Sequence, residues 1–314
     1  MSVNALYDYK FEPKDKVENF HGMQLLYVYW PNHLLFCAPF AVLVQPDMTF
    51  GAFVEDILKP AIAAHPDAAR ANFLNAAGAG DRVVAVVAYS DYPPEARQVP
   101  SVGSHTRLDM ERLLQLAPDL VIAWVTGNPS GQVATLRQMG LPVFAIEPRS
   151  FAAVSHTIKR LATLAGTEAE GFAEAERFAA GIAGLQAEFA AADPVPVFYQ
   201  VWDAPLMTVN NDHLIGEMIR LCGGDNVFGE LDRLVPRISV EAVVAANPEA
   251  ILAGGMGEEN RHWLTRWQAF PGITATARDN LFFIPPSLVQ RPTPRMLQGT
   301  RLFCEKLEIA RARR

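Results

Sequence analysis

The sequence predicts an α/β fold of two lobes joined by one long helix, preceded by a small α+β fragment. From residue 76 onward short apolar runs alternate with helical stretches, the pattern of parallel βαβ units. The stretch 167–193 spaces Phe178, Ile182, Leu185 and Phe189 helically and meets no proline before Pro194. One helix of about 24 residues, roughly 36 Å long, can bridge two lobes. Residues 1–75 have a different texture, with two aromatic and β-branched runs close together and few groups suited to chemistry.

Composition bounds what such a chain does. With 314 residues, 50% of them hydrophobic and 19% charged, it can bury sizeable cores in two or three compact units. A net charge of −7, a pI near 5.5 and no run of lysine or arginine exclude nucleic acid and an anionic membrane as the main partner. The amino terminus lacks a basic segment followed by an apolar one, so the sequence as written is expected in the cytoplasm. The apolar stretch 34–44 is too short to span a bilayer and contains Pro39.

In chain order, "MQLLYVYW" and "HLLFCAPFAVLV", separated by "PNH", read as a hairpin with strands at 24–30 and 34–43. "DMTFGAFVEDILKPAI" then offers Thr49 as a helix cap, with Phe53, Ile57 and Ile62 on one helical face and Pro60 kinking or ending it. His21, His33, His65 and Cys37 are too irregularly spaced for a zinc site. Six strands are expected beyond this fragment, at 83–88, 120–124, 143–146, 197–200, 250–253 and 281–284. After the first comes "AYSDYPPEA", where Tyr89 and Tyr92 flank Asp91 ahead of a double proline, a loop suited to a flat ligand at a strand's carboxyl end.

These residues also carry a resemblance. "AYSDYPPEA" (88–96), "LDMERLLQLAPDLVIAW" (108–124), Gly127-Asn128, "LRQMGLPV" (136–143), "RLCGGDNVF" (220–228) and "RPTPRML" (291–297) follow in order the pattern of cobalamin-binding members of the metal-chelate solute-binding family of ABC importers. The similarity runs over 76–309 and implies a two-lobed solute-binding fold, periplasmic in its relatives. It divides the chain into an amino-terminal lobe at 76–166 without its first βα unit, a bridging helix at 167–193 and a carboxyl-terminal lobe at 194–314. Residues 1–75 instead resemble the small hydroxylase subunit of multicomponent phenol hydroxylases, truncated at "FLNA". The chain therefore reads as a chimera.

What the resemblance implies is binding without catalysis, with cobalamin as ligand and no cofactor. Tyr89 matches a corrin-contacting tyrosine and Trp124 a tryptophan near the cleft. Asp91 and Tyr92 belong to the same loop as Tyr89, His105 stands where relatives can carry a tryptophan, and Trp202 is placed to cover the ligand's other face. Ser287, Leu288, Val289, Gln290 and Arg291 match a ligand loop, with Leu288 and Val289 replacing aromatics. The ordinary alternatives are aromatics that pack under loops and a solvated loop histidine. Glu111 and Glu241, one per lobe near a helix start, match carboxylates that dock on the membrane permease. Carboxylates also favour helix amino termini for electrostatic reasons alone. Cys222 and Cys304 match the family's disulfide, which forms in an oxidising compartment, whereas Cys37 belongs to the leader.

Signals for an enzyme are weak. Glu259 and His262 form one i, i+3 pair where a di-iron site needs two and further glutamates, and "GAG" at 78–80 precedes its strand and lacks a third glycine. The competing expectations are an accessory protein acting on phenol hydroxylase large subunits through 1–75, and a binding protein for haem or a ferric siderophore. The absence of an arginine cluster in the loops argues against an anionic siderophore.

Overall fold

A computed structural model describes residues 73–314 except 89, 91, 105–106, 126 and 255–260, together with the backbone of three strands at 24–28, 40–44 and 62–64. The chain divides into two units, Met1–Pro60 and Ala61–Arg314. In the first, β1 (Gln24–Val28) and β2 (Phe40–Val44) pair antiparallel, Gln24 opposite Val44 and Val28 opposite Phe40. The antiparallel pairing is as expected, and residues 29–39, including "PNH", lie outside the described residues. The helix expected through Phe53 and Ile57 and the four scattered His and Cys residues lie outside the described residues.

The second unit contains two parallel sheets. β3 (Ile62–Ala64), β4 (Leu120–Trp124) and β5 (Val143–Ile146) form one, in the order β3-β4-β5. Ile62, expected at the end of a helix, is instead in a strand whose register sets it opposite Leu120. The alanines that follow it favour a helix by themselves, and pairing along the edge of β4 outweighs that preference. The strand expected at 83–88 is reduced to a bridge between Val86 and Ser101. Its backbone bonds are Val86 N–H to Pro100 O (3.0 Å), Val102 N–H to Val86 O (2.8 Å) and Ala88 N–H to Gly103 O (2.8 Å). Gly103, at φ +104°, turns the chain away after this contact, in a conformation that L side chains rarely adopt.

Helix α1 (Met110–Gln115) precedes β4, α2 (Ser130–Gln138) connects β4 to β5, and α3 (Phe151–Ala165) follows β5. Ser150 caps α3 by accepting from the Ala153 N–H at 3.1 Å, and Gly166 in the left-handed conformation ends it. The bridging helix is α4 (Glu168–Glu188), 21 residues or about 32 Å. At its start the Thr167 hydroxyl donates to Ala77 O in the amino lobe. At its end Glu188 pairs with Arg301 of the carboxyl lobe at 3.6 Å.

The carboxyl lobe is a four-stranded sheet made of β6 (Val195–Gln200), β7 (Gly224–Asn226), β8 (Ala250–Ala253) and β9 (Leu281–Phe283), ordered β7-β6-β8-β9. Its helices are α5 (Leu214–Leu221), α6 (Val240–Ala246), α7 (His262–Thr265), α8 (Thr274–Ala277), α9 (Pro286–Val289) and α10 (Met296–Ala312). A disulfide joins Cys222, just after α5, to Cys304 within α10.

One core runs through both lobes. It takes Phe73, Leu74, Ile122 and Ile146 from the amino side, Phe151, Ile158 and Leu161 from α3, Phe178, Ile182 and Leu185 from α4, and Val197, Tyr199, Leu252 and Phe303 from the carboxyl side. Each sheet also has a core of its own on the opposite face. The amino lobe's is small and aliphatic, built from residues such as Val87, Leu113, Val121 and Leu136. The carboxyl lobe's includes Phe198, Trp263 and Trp267. Among the described residues no helix is long and apolar enough to cross a membrane.

Candidate ligand cleft and docking faces

Parallel strands deliver their carboxyl ends to one side of each sheet, and Trp124 and Trp202 lie at or just after such ends. Trp124 is the last residue of β4, half-buried. Its backbone N–H donates to Asn128 Oδ1 at 2.7 Å, closing a tight turn through Gly127. A Cβ on Gly127 would sit 3.2 Å from the indole, so glycine lets the turn fold back over the ring. The indole Nε1 is buried without a hydrogen-bond partner among the described residues.

In the carboxyl lobe Trp202 lies just after β6 and remains 42% exposed. Its Nε1 donates to Ala204 O at 3.1 Å, and its ring meets that of Trp263 edge-on, with centroids 5.7 Å apart. The loop is held from beneath. The buried Gln200 accepts from Trp267 Nε1 at 2.8 Å and donates to Asp203 Oδ1 at 3.0 Å, and Asp203 pairs with Arg266 at 3.1 Å. Trp263 and this supporting set were not among the sequence candidates. The spacing of "HWLTRW" signals an apolar helix face and does not reveal which aromatic it supports.

The loop after β9 divides its residues between core and surface. Ser287, Leu288 and Val289 are buried, the latter two within the shared core. α9 packs them against α10, so their side chains offer little surface to a ligand. Gln290 and Arg291 are half-buried, and Gln290 Nε2 donates to the hydroxyl of Tyr199 at 3.3 Å. Burial pushes the Tyr199 hydroxyl well above the usual tyrosine range, with the Gln290 bond acting the other way, so it stays protonated. Tyr92 is 37% exposed, and the Arg295 guanidinium lies 4.3 Å from its ring centroid. Tyr89, Asp91 and His105 lie outside the described residues.

The two glutamates occupy matching places. Glu111 is the second residue of α1, where Asp109 caps by accepting from the Arg112 N–H at 3.0 Å. Glu241 is the second residue of α6, where Ser239 caps by accepting from the Ala242 N–H at 3.2 Å. Both are exposed. Its own backbone N–H, and then the Ser239 hydroxyl, hold the Glu241 carboxyl below its usual range. The likeness extends from 108–123 to 238–253. Ala117 and Asn247 both have φ +44°, Pro118 and Pro248 follow, and β4 and β8 begin at corresponding positions. One helical turn after each glutamate an apolar side chain is exposed, Leu114 at 42% and Val244 at 41%.

Between the lobes, His213 caps α5 with Nδ1 accepting from the Ile215 N–H at 3.0 Å. Burial, and then the Arg149 charge, hold its pKa down to about 4. In the same region Glu217 of α5 accepts from the Phe151 N–H at 2.9 Å, tying the start of α3 to the carboxyl lobe. No group of His, Cys, Asp and Glu among the described residues is arranged to hold a metal ion.

A family model described as periplasmic binding protein matches residues 65–288. The chain belongs to that family. Its members are non-catalytic binding proteins, and so is this one. The vitamin B12-binding protein of Vibrio cholerae is 33% identical over 235 residues, 75% of this chain and 84% of that relative. The vitamin B12-binding protein of Yersinia pestis is 30% identical over 232 residues, 74% of this chain and 81% of the relative. The crystal structure of the Vibrio cholerae protein BtuF superposes with a TM-score of 0.73 at 32% identity, covering 80% of this chain and 98% of that one. The periplasmic heme-binding protein RhuT from Roseiflexus sp. RS-1 shares the fold, with a TM-score of 0.71 at 23% identity, covering 80% and 99% of the two chains. A model described as phenol hydroxylase matches residues 15–77, so the two family matches overlap at the junction.

Proposed function

We propose that this family member captures cobalamin between its lobes and delivers it to the permease of an ABC importer in the periplasm. The observation that carries the reading is the pair Trp124 and Trp202, one at a strand's carboxyl end in each lobe, on a chain one-third identical to vitamin B12-binding proteins. A flat macrocycle offers both faces to aromatic side chains. Tyr89, Asp91, Tyr92, His105, Gln290 and Arg291 complete the proposed lining, while Ser287, Leu288 and Val289 shape it from behind.

Titration with cyanocobalamin followed by tryptophan fluorescence tests the reading. Each of Trp124→Ala and Trp202→Ala should weaken binding by about 2- to 13-fold beyond the loss of buried area. Saturable binding that neither substitution weakens would remove the site assignment. Tight haem binding with none of cobalamin would replace the ligand.

The matched glutamates support docking on a partner with two equivalent basic sites, since each lobe presents the same carboxylate with an apolar neighbour. Opposite charge steers such an encounter. A second reading rests on the phenol hydroxylase match at 15–77, through which the chain would associate with hydroxylase large subunits. Co-purification with those subunits separates it from transport.

A further inference from the structure

The contact between Tyr92 and Arg295 crosses from one lobe to the other, and its two ends are anchored very differently. Arg295 immediately precedes α10. That helix packs on α4, α5 and β6, is bonded to Cys222 through Cys304, and carries Arg311, which donates to Cys222 O at 2.8 Å and Gly223 O at 3.0 Å. Tyr92 sits in the loop that follows the bridge at Val86, where the described residues are organised by short-range bonds such as Ala96 N–H to Pro93 O (2.9 Å) and Val99 N–H to Ala96 O (3.3 Å) and by a small cluster of Ala96 with Val86. A guanidinium 4.3 Å from a ring centroid is in cation–π contact. The firm end is therefore the arginine and the yielding end the tyrosine.

We propose that Arg295 is a positioning residue that holds the tyrosine loop of the amino lobe from the opposite lobe, setting the ligand face of the cleft before ligand arrives. Arg295 falls within the segment "RPTPRML" that carries part of the resemblance, but nothing in the sequence assigns it a role. Its effect on ligand rests on the cobalamin reading, whereas its effect on the loop does not. Preorganising a binding loop raises affinity by removing the cost of ordering it on binding.

Hydrogen exchange of the ligand-free full chain reads the loop directly. Arg295→Ala and Tyr92→Leu should each speed amide exchange over 92–99 by about two- to five-fold, the worth of an exposed cation–π contact. The double variant should exchange no faster than either single one. Tyr92→Phe keeps the ring and should retain protection, and Arg295→Lys should restore part of it. Unchanged exchange in Arg295→Ala, or effects that add in the double variant, would overturn the proposal. Cyanocobalamin affinity should fall by the same two- to five-fold in Arg295→Ala. If the parent chain binds no cobalamin, the ligand reading fails while the exchange experiment still decides the clasp.

Discussion

Residues 108–123 in the amino lobe and 238–253 in the carboxyl lobe pass through the same series of features. Each has a polar cap, a glutamate, a short helix, a left-handed residue, a proline and a buried strand. Even the facing agrees, with Val121 and Ile251 turned to the lobe's own core and Ile122 and Leu252 to the shared one. The support around the two copies differs. The carboxyl copy is flanked by strands on both sides of a four-stranded sheet and packs on Phe198, Trp263 and Trp267, with a disulfide in the same lobe. The amino copy packs on aliphatic residues, and its strand lies between β5 and β3 in a sheet of three, β3 coming from the stretch matched by the phenol hydroxylase model. A repeated unit thus fixes where the two matched glutamates go, while the packing around each copy differs.

The largest expected effect concerns the disulfide. It links residues 82 apart, and the loop-entropy model assigns such a closure about 4.5 kcal/mol. Denaturant unfolding of Cys304→Ser should show a loss of that order, and hydrogen exchange should show β6 and β8 losing much of their advantage over β4. A carboxyl lobe that stays equally protected would assign the difference to its aromatic core instead.

Next comes His213, between the lobes. Its folded pKa, about 4, lies below the usual value near 6.5, so between those values the unfolded chain binds the extra proton. The contribution is fully present above pH 6.5 and is lost as pH falls towards 4, amounting to about 3 kcal/mol. Protonation also removes the Nδ1 acceptor that caps α5. Thermal unfolding between pH 4 and 7 should show the slope, and His213→Asn, which can still cap, should flatten it.

The smallest effect is the most direct test of equivalence. Asp109→Ala and Ser239→Ala remove corresponding caps, each worth about 1 kcal/mol. Equal losses in denaturant unfolding would support independent local contributions. A much larger loss for Asp109→Ala would show that the amino copy depends on its cap for want of other support.

Elements whose residues carry their own signal were legible in the sequence. β4, β5, β6, β8 and β9 are apolar runs that a parallel sheet buries on both faces, and α4 has an unbroken helical spacing. Where the outcome depends on a distant partner the sequence misleads. The run at 83–88 is apolar enough for a strand, but its neighbour at 100–103 turns at Gly103 and allows one bridge. Ile62 completes a helical spacing, yet pairs with Leu120. Among the candidate site residues, Trp124, Glu111 and Glu241 are marked by the family resemblance and Trp202 by its place after a strand, and the readable strand ends and helix starts give all four their positions. The burial of Leu288 and Val289, the support under Trp202 and the reach of Arg295 to Tyr92 all depend on packing between segments far apart in the chain.

Phe73 and Leu74 are buried in the shared core although they fall within the phenol hydroxylase match, and β3 in that same match lies on the sheet. The seam between two ancestries is therefore not a seam in the folded object. Fragments cut at residue 76, where the resemblance changes, would discard two core side chains and an edge strand that the remainder uses. For anyone grafting one protein onto another, the lesson is about overhang: the borrowed piece must extend past the join until it has supplied what the recipient lacks.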